Sequence, residues 1–184
     1  DAAAFDTWEV EEQDVALELR KVKELISLGG SEDLIDIAYA KDSGVLTLNL
    51  GKIDRNIRPL DASTVNSPNL PNIDIPSSVE ISGAALTQAL RAAKQVGDLV
   101  NFSIDSENFT VHVQGQTDAV TVSFSKDELE SLTCSSPARS QYSLTYLVPL
   151  SKVFGPLDKV KLGFGESFPL RLEFSFADGA GEVV

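Results

Sequence analysis

The chain contains one histidine and one cysteine, the two side chains that most often hold metals or act as base and nucleophile. His112 stands on the polar phase of an alternating segment, with no second histidine and no aspartate or cysteine at ligand spacing. Cys134 has no neighbouring base that would activate its thiol. The sequence also lacks a nucleophile elbow, a phosphate-binding loop and a dinucleotide fingerprint. We therefore expect no enzyme activity, no metal and no cofactor.

The composition is that of a folded protein with a strong negative charge. Of the 184 residues, 42% are apolar and 23% are charged, which is typical of globular chains and unlike disordered ones. The apolar runs are far shorter than the roughly 20 residues that a membrane helix needs. The net charge of −13 argues against binding of nucleic acid by a generally basic chain. Because the sequence has no methionine, we expect a processed chain or a fragment.

Apolar and polar residues alternate with period two over most of the chain, which predicts antiparallel strands with one buried face. Segments 19–28, 82–96 and 143–154 change to helical spacing, and Pro149 is expected to kink or shorten the third helix. An aspartate, a strand, a turn and a second strand follow each helix. These pieces predict a threefold repeat of the α+β class, with helices on one side of shared sheets. The predicted strands are 34–39, 45–50, 99–104, 109–113, 159–164 and 170–176.

The spacing of apolar residues also predicts which helix faces are buried. Ser82 is the expected N-terminal cap of the second helix. The predicted buried faces are Leu19, Val22, Leu25 and Ile26 in the first helix and Leu144, Leu147, Leu150 and Phe154 in the third.

A segment rich in proline, asparagine and serine, 61–78, interrupts the repeat and predicts an extended connector. Its apolar residues are either a docking surface or packed against the adjacent sheet, and the second reading suits Ile73 and Ile75 at least as well. The predicted organisation is a domain over 1–60, the connector over 61–78 and a second domain over 79–184.

Basic residues are concentrated on the three predicted helices, whose charges sum to +5 and leave −18 for the rest of the chain. If the helices share one side of the sheets, that side is positive and suited to phosphate contact. The same pattern is equally consistent with lysine and arginine that only solvate the polar faces of the helices.

Six segments, in this order and spacing, resemble the archaeal and eukaryotic DNA sliding clamps, the proliferating cell nuclear antigen family. Together they span essentially the whole chain, and its acid-rich composition resembles the archaeal members more. The segments are 1–5 (DAAAF), 59–61 (PLD), 92–100 (AAKQVGDLV), 115–118 (GQTD), 140–147 (SQYSLTYL) and 163–174 (GFGESFPLRLEF).

The resemblance implies the DNA-clamp fold, in which helices lie on one side of curved sheets and each of two domains contains two helix-and-strand units. It implies a homotrimeric ring that encircles duplex DNA and acts as a polymerase processivity factor, in the cytoplasm of an archaeon or the nucleus of a eukaryote. The family has four units and this sequence shows three. We therefore expect the first unit upstream of Asp1 and the closing residues after Val184.

Site residues also follow from the resemblance, by position. Glu24 and Ser27 stand where relatives often carry lysine, which should weaken phosphate contact by the first helix. The expected DNA-facing residues are Lys21, Lys23, Arg91, Lys94 and Lys152. The expected pocket for short partner motifs comprises Val65, Leu70, Pro71 and Pro169. The expected subunit interface pairs 50–58 with 117–125 and includes Arg55, Ile57, Arg58, Asp118, Val120 and Val122.

The implied partners are double-stranded DNA, further copies of the chain, and DNA polymerase, clamp loader, nuclease and ligase, with no membrane. One alternative is an acidic β-rich ligand-binding or adhesion module without a DNA role, which predicts a monomer. A third reading is an enzyme whose site lies in a missing segment.

Overall fold

The computed structural model describes residues 2–11, 14–61, 63, 65 and 73–184. They form two compact units, one comprising Glu9–Pro71 and the other Asp1–Trp8 with Asn72–Val184. The division at Pro71 falls within the predicted connector. In the part of the chain that is described, no helix is long and apolar enough to span a membrane.

The unit Glu9–Pro71 packs one helix on a three-stranded antiparallel sheet. Its core consists of Leu25 from the helix and Leu46, Leu48 and Ile57 from the sheet. A two-residue turn joins the last two strands, and it needs Gly51, whose φ of 59° an L side chain adopts only under strain. The elements are α1 (Leu19–Ile26), β1 (Ile35–Ala40), β2 (Val45–Leu50) and β3 (Ile53–Ile57), in sheet order β1-β2-β3.

The buried face of α1 is narrower than the sequence predicts. Leu25 is buried and Val22 half-buried, whereas Leu19 is 77% exposed and Ile26 is 47% exposed. At 3.6 residues per turn, Leu19 and Ile26 lie at one margin of the apolar arc, and the contact with the sheet is centred on the other two. The prediction that all four residues are buried together is therefore wrong.

The larger unit contains the second and third copies of the repeat, each a helix preceded by one strand and followed by antiparallel strands. Ser82 caps the first of its helices, as predicted, since its hydroxyl accepts the Ala85 N–H at 3.1 Å. The elements are β4 (Ser77–Ile81), α2 (Gly83–Lys94), β5 (Leu99–Ile104), β6 (Asn108–Gln114), β7 (Ala119–Ser125), β8 (Ser131–Cys134), β9 (Ala138–Ser143), α3 (Leu144–Phe154), β10 (Val160–Phe164), β11 (Arg171–Phe176) and β12 (Gly181–Val183).

The two copies in this unit exchange strands. The strand before α2, β4, pairs with β10, and the strand before α3, β9, pairs with β5. The resulting sheet orders are β7-β6-β5-β9 and β12-β11-β10-β4-β8. Both sheets contribute to one core around Phe102, Phe109 and Phe164, whose ring centroids lie 5.4 to 6.2 Å apart. Neither copy could bury its apolar face alone, which is the physical reason for the repeat.

The two helices of this unit touch through their backbones. The Gly83 N–H donates to the Leu157 carbonyl at 3.0 Å, and a Cβ at Gly83 would lie 1.9 Å from the carbonyl oxygen of Phe154. Thr87 adds a hydrogen bond from its hydroxyl to the Ser151 carbonyl at 3.3 Å. Glycine at position 83 is therefore what lets α2 and α3 approach.

The third helix differs from prediction in two ways. It continues through Pro149 to Phe154, so Pro149 does not shorten it, while the kink that was the other expected effect stays a prediction. Buried Leu144 and Phe154 anchor both its ends, and Pro149 itself is exposed. Leu150 is 43% exposed, and Ser151 takes the predicted buried place. The buried positions 144, 147, 151 and 154 are spaced by three and four residues and centre the buried face away from 150, which lies at its margin. The Ser151 hydroxyl donates to the Val148 carbonyl at 2.8 Å, so its burial leaves no donor unpaired.

Candidate functional site

All five cations expected to face DNA are exposed, and they fall into two groups. Lys21 pairs with Glu18 at 2.7 Å, and Lys94 pairs with Asp98 one helical turn further on. Lys23, Arg91 and Lys152 form no ion pair with any described residue. The hydrogen bond from Lys21 also lowers the pKa of Glu18, so this carboxylate stays charged and offsets the lysine. The effective positive charge is therefore smaller than the residue count suggests.

The surfaces of α2 and α3 are free of acidic residues. Neither helix, of 12 and 11 residues, contains an aspartate or glutamate, although 28 of the 184 residues are acidic. A groove between them is lined by Ala84, Thr87, Gln88, Arg91, Gly155 and Pro156. The residues of the two helices therefore contribute no negative charge that would repel a polyanion.

The surface of α1 is more balanced because Glu24 lies between two arginines. Its carboxylate accepts from Arg20 at 3.0 Å and from Arg55 on β3 at 3.2 Å. Arg55, expected at the subunit interface, is thus held by the helix of its own unit. Arg58 is exposed. Glu24 therefore reduces the positive charge of α1 and ties the helix to the edge of its sheet.

Among the described residues, the edge strands of the three sheets are β1 and β3 in one unit and β7, β9, β8 and β12 in the other. The expected subunit interface concerns two of them, β3 and β7. Hydrogen-bonded pairs alternate along an antiparallel ladder. The Gly115 N–H donates to the Asp118 carbonyl and the Lys126 N–H donates to the Glu107 carbonyl, both at 2.8 Å. These two bonds determine which residues of β7 form hydrogen bonds with β6.

In this register, the N–H groups of Val120, Val122 and Phe124 point to β6, and those of Thr121 and Ser123 point away from it, to the free edge of the sheet. In β3, the two-residue turn makes Leu50 and Ile53 a hydrogen-bonded pair, so Asp54 and Asn56 direct their N–H groups outwards. Both strands can add a strand from another chain.

The remaining residues expected at the subunit interface differ in how much of each is exposed. Ile57 is buried in the core of its own unit, so only its backbone is available at the edge. Val120 and Val122 are half-buried, and Asp118 is exposed just before β7.

Two members of the expected partner pocket are exposed. Val65 and Pro169 belong to different units. Leu70 and Pro71 lie outside the described residues. The pocket stays a prediction.

The side chains of His112 and Cys134 each contact a neighbouring polar group of the chain. His112 Nδ1 lies 2.8 Å from the Thr121 hydroxyl across the β6–β7 ladder. The Cys134 Sγ lies 3.2 Å from the Ser136 carbonyl. Within the described ranges, no three histidine, cysteine or acidic side chains come together as metal ligands do.

The sequence reasoning missed one surface feature, an exposed apolar stripe on α3 formed by Tyr146, Leu150 and Val153. Spacing of i, i+4 and i+7 was the available signal. It was obscured because Leu150 was assigned to the buried face.

No protein-family model matches the chain. It is similar to the DNA polymerase sliding clamp of Methanosphaerula palustris, with 33% identity over 100% of the chain and 75% of that relative. It is also similar to the DNA polymerase sliding clamp of Methanoregula boonei, with 34% identity over 98% of the chain and 74% of that relative.

Two solved structures share the fold. A. fulgidus PCNA, bound to the C-terminal region of FEN-1, matches with a TM-score of 0.91 and 22% identity over 98% of the chain and 74% of its own. PCNA from Thermococcus kodakaraensis matches with a TM-score of 0.84 and 24% identity over 97% and 74%. These likenesses confirm the predicted α+β class with repeated helix-and-strand units.

Proposed function

We infer the function of this chain from its family: it belongs to the DNA polymerase sliding clamps, and we propose that its copies close into a ring around duplex DNA. The ring tethers DNA polymerase and other replication and repair proteins to the template. The chain acts as a scaffold and carries out no chemistry of its own. The alternative of an acidic adhesion module without a DNA role is not favoured, since these relatives are sliding clamps.

The mechanism is topological. A closed ring holds DNA by enclosure, so its contacts need only guide the duplex and must stay weak enough to permit sliding. Of the cations expected to face DNA, Lys23, Arg91 and Lys152 form no ion pair with a described residue, and this suits the requirement. Contacts to phosphate carry no sequence information, so the ring slides on any sequence.

Assembly is proposed to occur by strand addition. The edge strand β3 of one copy pairs with β7 of the next, and three such contacts close a homotrimer. The outward N–H groups of both strands support this, because each offers unpaired donors and acceptors to a complementary edge. Arg58 and Asp118 provide opposite charges at the two edges, which makes the contact sensitive to salt.

Partners are proposed to bind through short motifs in the pocket of Val65, Leu70, Pro71 and Pro169. A. fulgidus PCNA binds the C-terminal region of FEN-1, which supports a nuclease tail as one such partner here. DNA polymerase, ligase and the clamp loader are the other expected classes.

The observation that carries the DNA-facing assignment is the acid-free surface of α2 and α3 in a chain of net charge −13. We expect the double substitution Arg91→Glu and Lys152→Glu to lower clamp-dependent polymerase stimulation by about tenfold, because it places like charge against phosphate. Primer extension on singly primed circular DNA, with loader and polymerase, measures this.

The matched control is Arg139→Glu, a charge reversal on the opposite, solvent face of the sheet containing β9. It should leave stimulation near the wild-type level. Unchanged stimulation by the double variant, with its fold intact by circular dichroism, would contradict the assignment of α2 and α3 to the DNA side.

A further inference from the structure

The turn between β10 and β11 is held by another strand. It contains residues 165–168, and Ser167 has a φ of 58°, a backbone conformation that an L side chain adopts only at a cost. The strand β9 lies beside it: the Arg139 N–H donates to Glu166 Oε2 at 2.7 Å, and the Ser167 N–H donates to the Arg139 carbonyl at 3.1 Å. Contacts from outside the turn therefore fix its strained conformation.

Two side chains of β9, Ser140 and Tyr142, hold the residue that precedes Pro169. Ser140 is 4% exposed, and its hydroxyl donates to the Gly165 carbonyl at 2.7 Å and accepts the Phe168 N–H at 3.0 Å. The Tyr142 hydroxyl donates to the Phe168 carbonyl at 2.9 Å. Both polar groups of the Phe168 backbone are thus bound by side chains of β9, and the pyrrolidine ring of Pro169 fixes the next φ. These two hydroxyls therefore determine where Pro169 lies.

The end of the predicted connector packs on the same turn. A Cβ at Gly165 would lie 2.9 Å from Cγ of Pro76, so the proline ring rests directly on the backbone of the turn. The turn is thus held by hydrogen bonds from β9 and by a close apolar contact with the connector. A backbone that is fixed before binding loses little conformational entropy when a ligand contacts it.

We propose that Ser140 and Tyr142 are positioning residues of the partner pocket, because they hold Pro169 in the conformation that a short partner motif meets. The proposal rests on the proposed function, in which Pro169 contributes to this pocket. A motif that meets the proline ring must bring an aliphatic or aromatic side chain. Ser140 is buried, so it acts through the turn and needs no contact with the motif.

Titration calorimetry with a synthetic peptide tests this role. The probe is the C-terminal region of FEN-1, the segment bound to A. fulgidus PCNA. Tyr142→Phe removes one hydroxyl and keeps the ring, whereas Ser140→Ala removes the hydroxyl that joins Gly165 to Phe168. Each variant should bind the peptide about three- to tenfold more weakly, as expected from the loss of one or two hydrogen bonds.

The matched control is Ser82→Ala. It also removes a hydrogen bond between a hydroxyl and the backbone, but at the end of the β4–β10 pair opposite to the turn. The control should bind the peptide with wild-type affinity, although it loses the cap of α2.

A double variant separates positioning from a merely structural role. Pro169→Ala alone should weaken peptide binding, because it removes the ring that the motif meets. If the Tyr142 hydroxyl acts through Pro169, the double variant Tyr142→Phe with Pro169→Ala should stay within about twofold of the weaker single variant. Independent effects would multiply, and that result would overturn the proposal.

Wild-type affinity of both folded hydroxyl variants, with weakened binding by Pro169→Ala, would overturn the positioning role and leave the proposed pocket intact. If the wild-type chain does not bind the peptide, or if Pro169→Ala binds it normally, the pocket itself has failed and the positioning role fails with it. Circular dichroism checks that each variant is folded. Tyr142→Phe provides the test if Ser140→Ala does not fold.

Discussion

Replacement of Gly83 by valine is expected to lower the free energy of unfolding by about 3 kcal/mol, the upper end of the usual range for steric overpacking. A Cβ at this position would lie 1.9 Å from the Phe154 carbonyl oxygen and 2.8 Å from that of Leu157. Both contacts are backbone atoms, which cannot rotate away. The steric overlap can be relieved only if α2 and α3 separate and lose the hydrogen bond from the Gly83 N–H to the Leu157 carbonyl.

Urea unfolding monitored by circular dichroism measures this effect. Ala84→Val is the matched control, since it adds a larger side chain at the next position of the same helix, where the residue is exposed. The control should change stability by less than about 1 kcal/mol. Equal stability of the two variants would contradict the backbone contact between the helices.

Replacement of Ser123 by proline is expected to convert the assembly to monomers. The Ser123 N–H points away from β6, so proline spares the β6–β7 ladder and removes a donor from the free edge. Its ring also obstructs the approach of a second strand. If β3 of another copy adds to this edge, the loss of the donor and the steric block prevent pairing.

Ser123→Ala separates the backbone effect from the side-chain effect. It removes the hydroxyl that lies 3.1 Å from Thr110 Oγ1 but keeps the N–H. Size-exclusion chromatography with light scattering should show a trimer for Ser123→Ala and a monomer for Ser123→Pro. A trimer of wild-type stability in both variants would show that the subunit interface does not include β7.

The elements of this fold were predictable because their signals are local. The alternation at 46–50 and 109–113 defines strands, and Ser82 marks the start of α2. The exchange of β4 and β9 between copies was not predictable, since it depends on pairing between residues far apart in the sequence. Burial of α1 was overestimated for Leu19 because a three-stranded sheet covers only part of the apolar arc.

The residue types of the candidate site could be predicted from the sequence, but its effective charge could be predicted less well. The sequence indicates that cations gather on the helices. That Glu18 offsets Lys21 and that Glu24 holds Arg55 depends on side-chain geometry, which composition does not encode. The apolar stripe of α3 (Tyr146, Leu150 and Val153) was not recognised because the sequence pattern assigned Leu150 to the core. Positions 150 and 151 are adjacent and both fit a helical spacing from Leu147, so the pattern alone does not show which of them is buried.

Retention on circular DNA tests the central claim most directly. The chain is loaded onto a nicked circular plasmid by a clamp loader, separated from free protein by gel filtration, and the plasmid is then linearised. Enclosure predicts that the protein stays with the circle in the presence of salt and leaves the DNA once ends are available. Equal retention on circular and linear DNA, or no retention on the circle, would contradict a ring that holds DNA by topology.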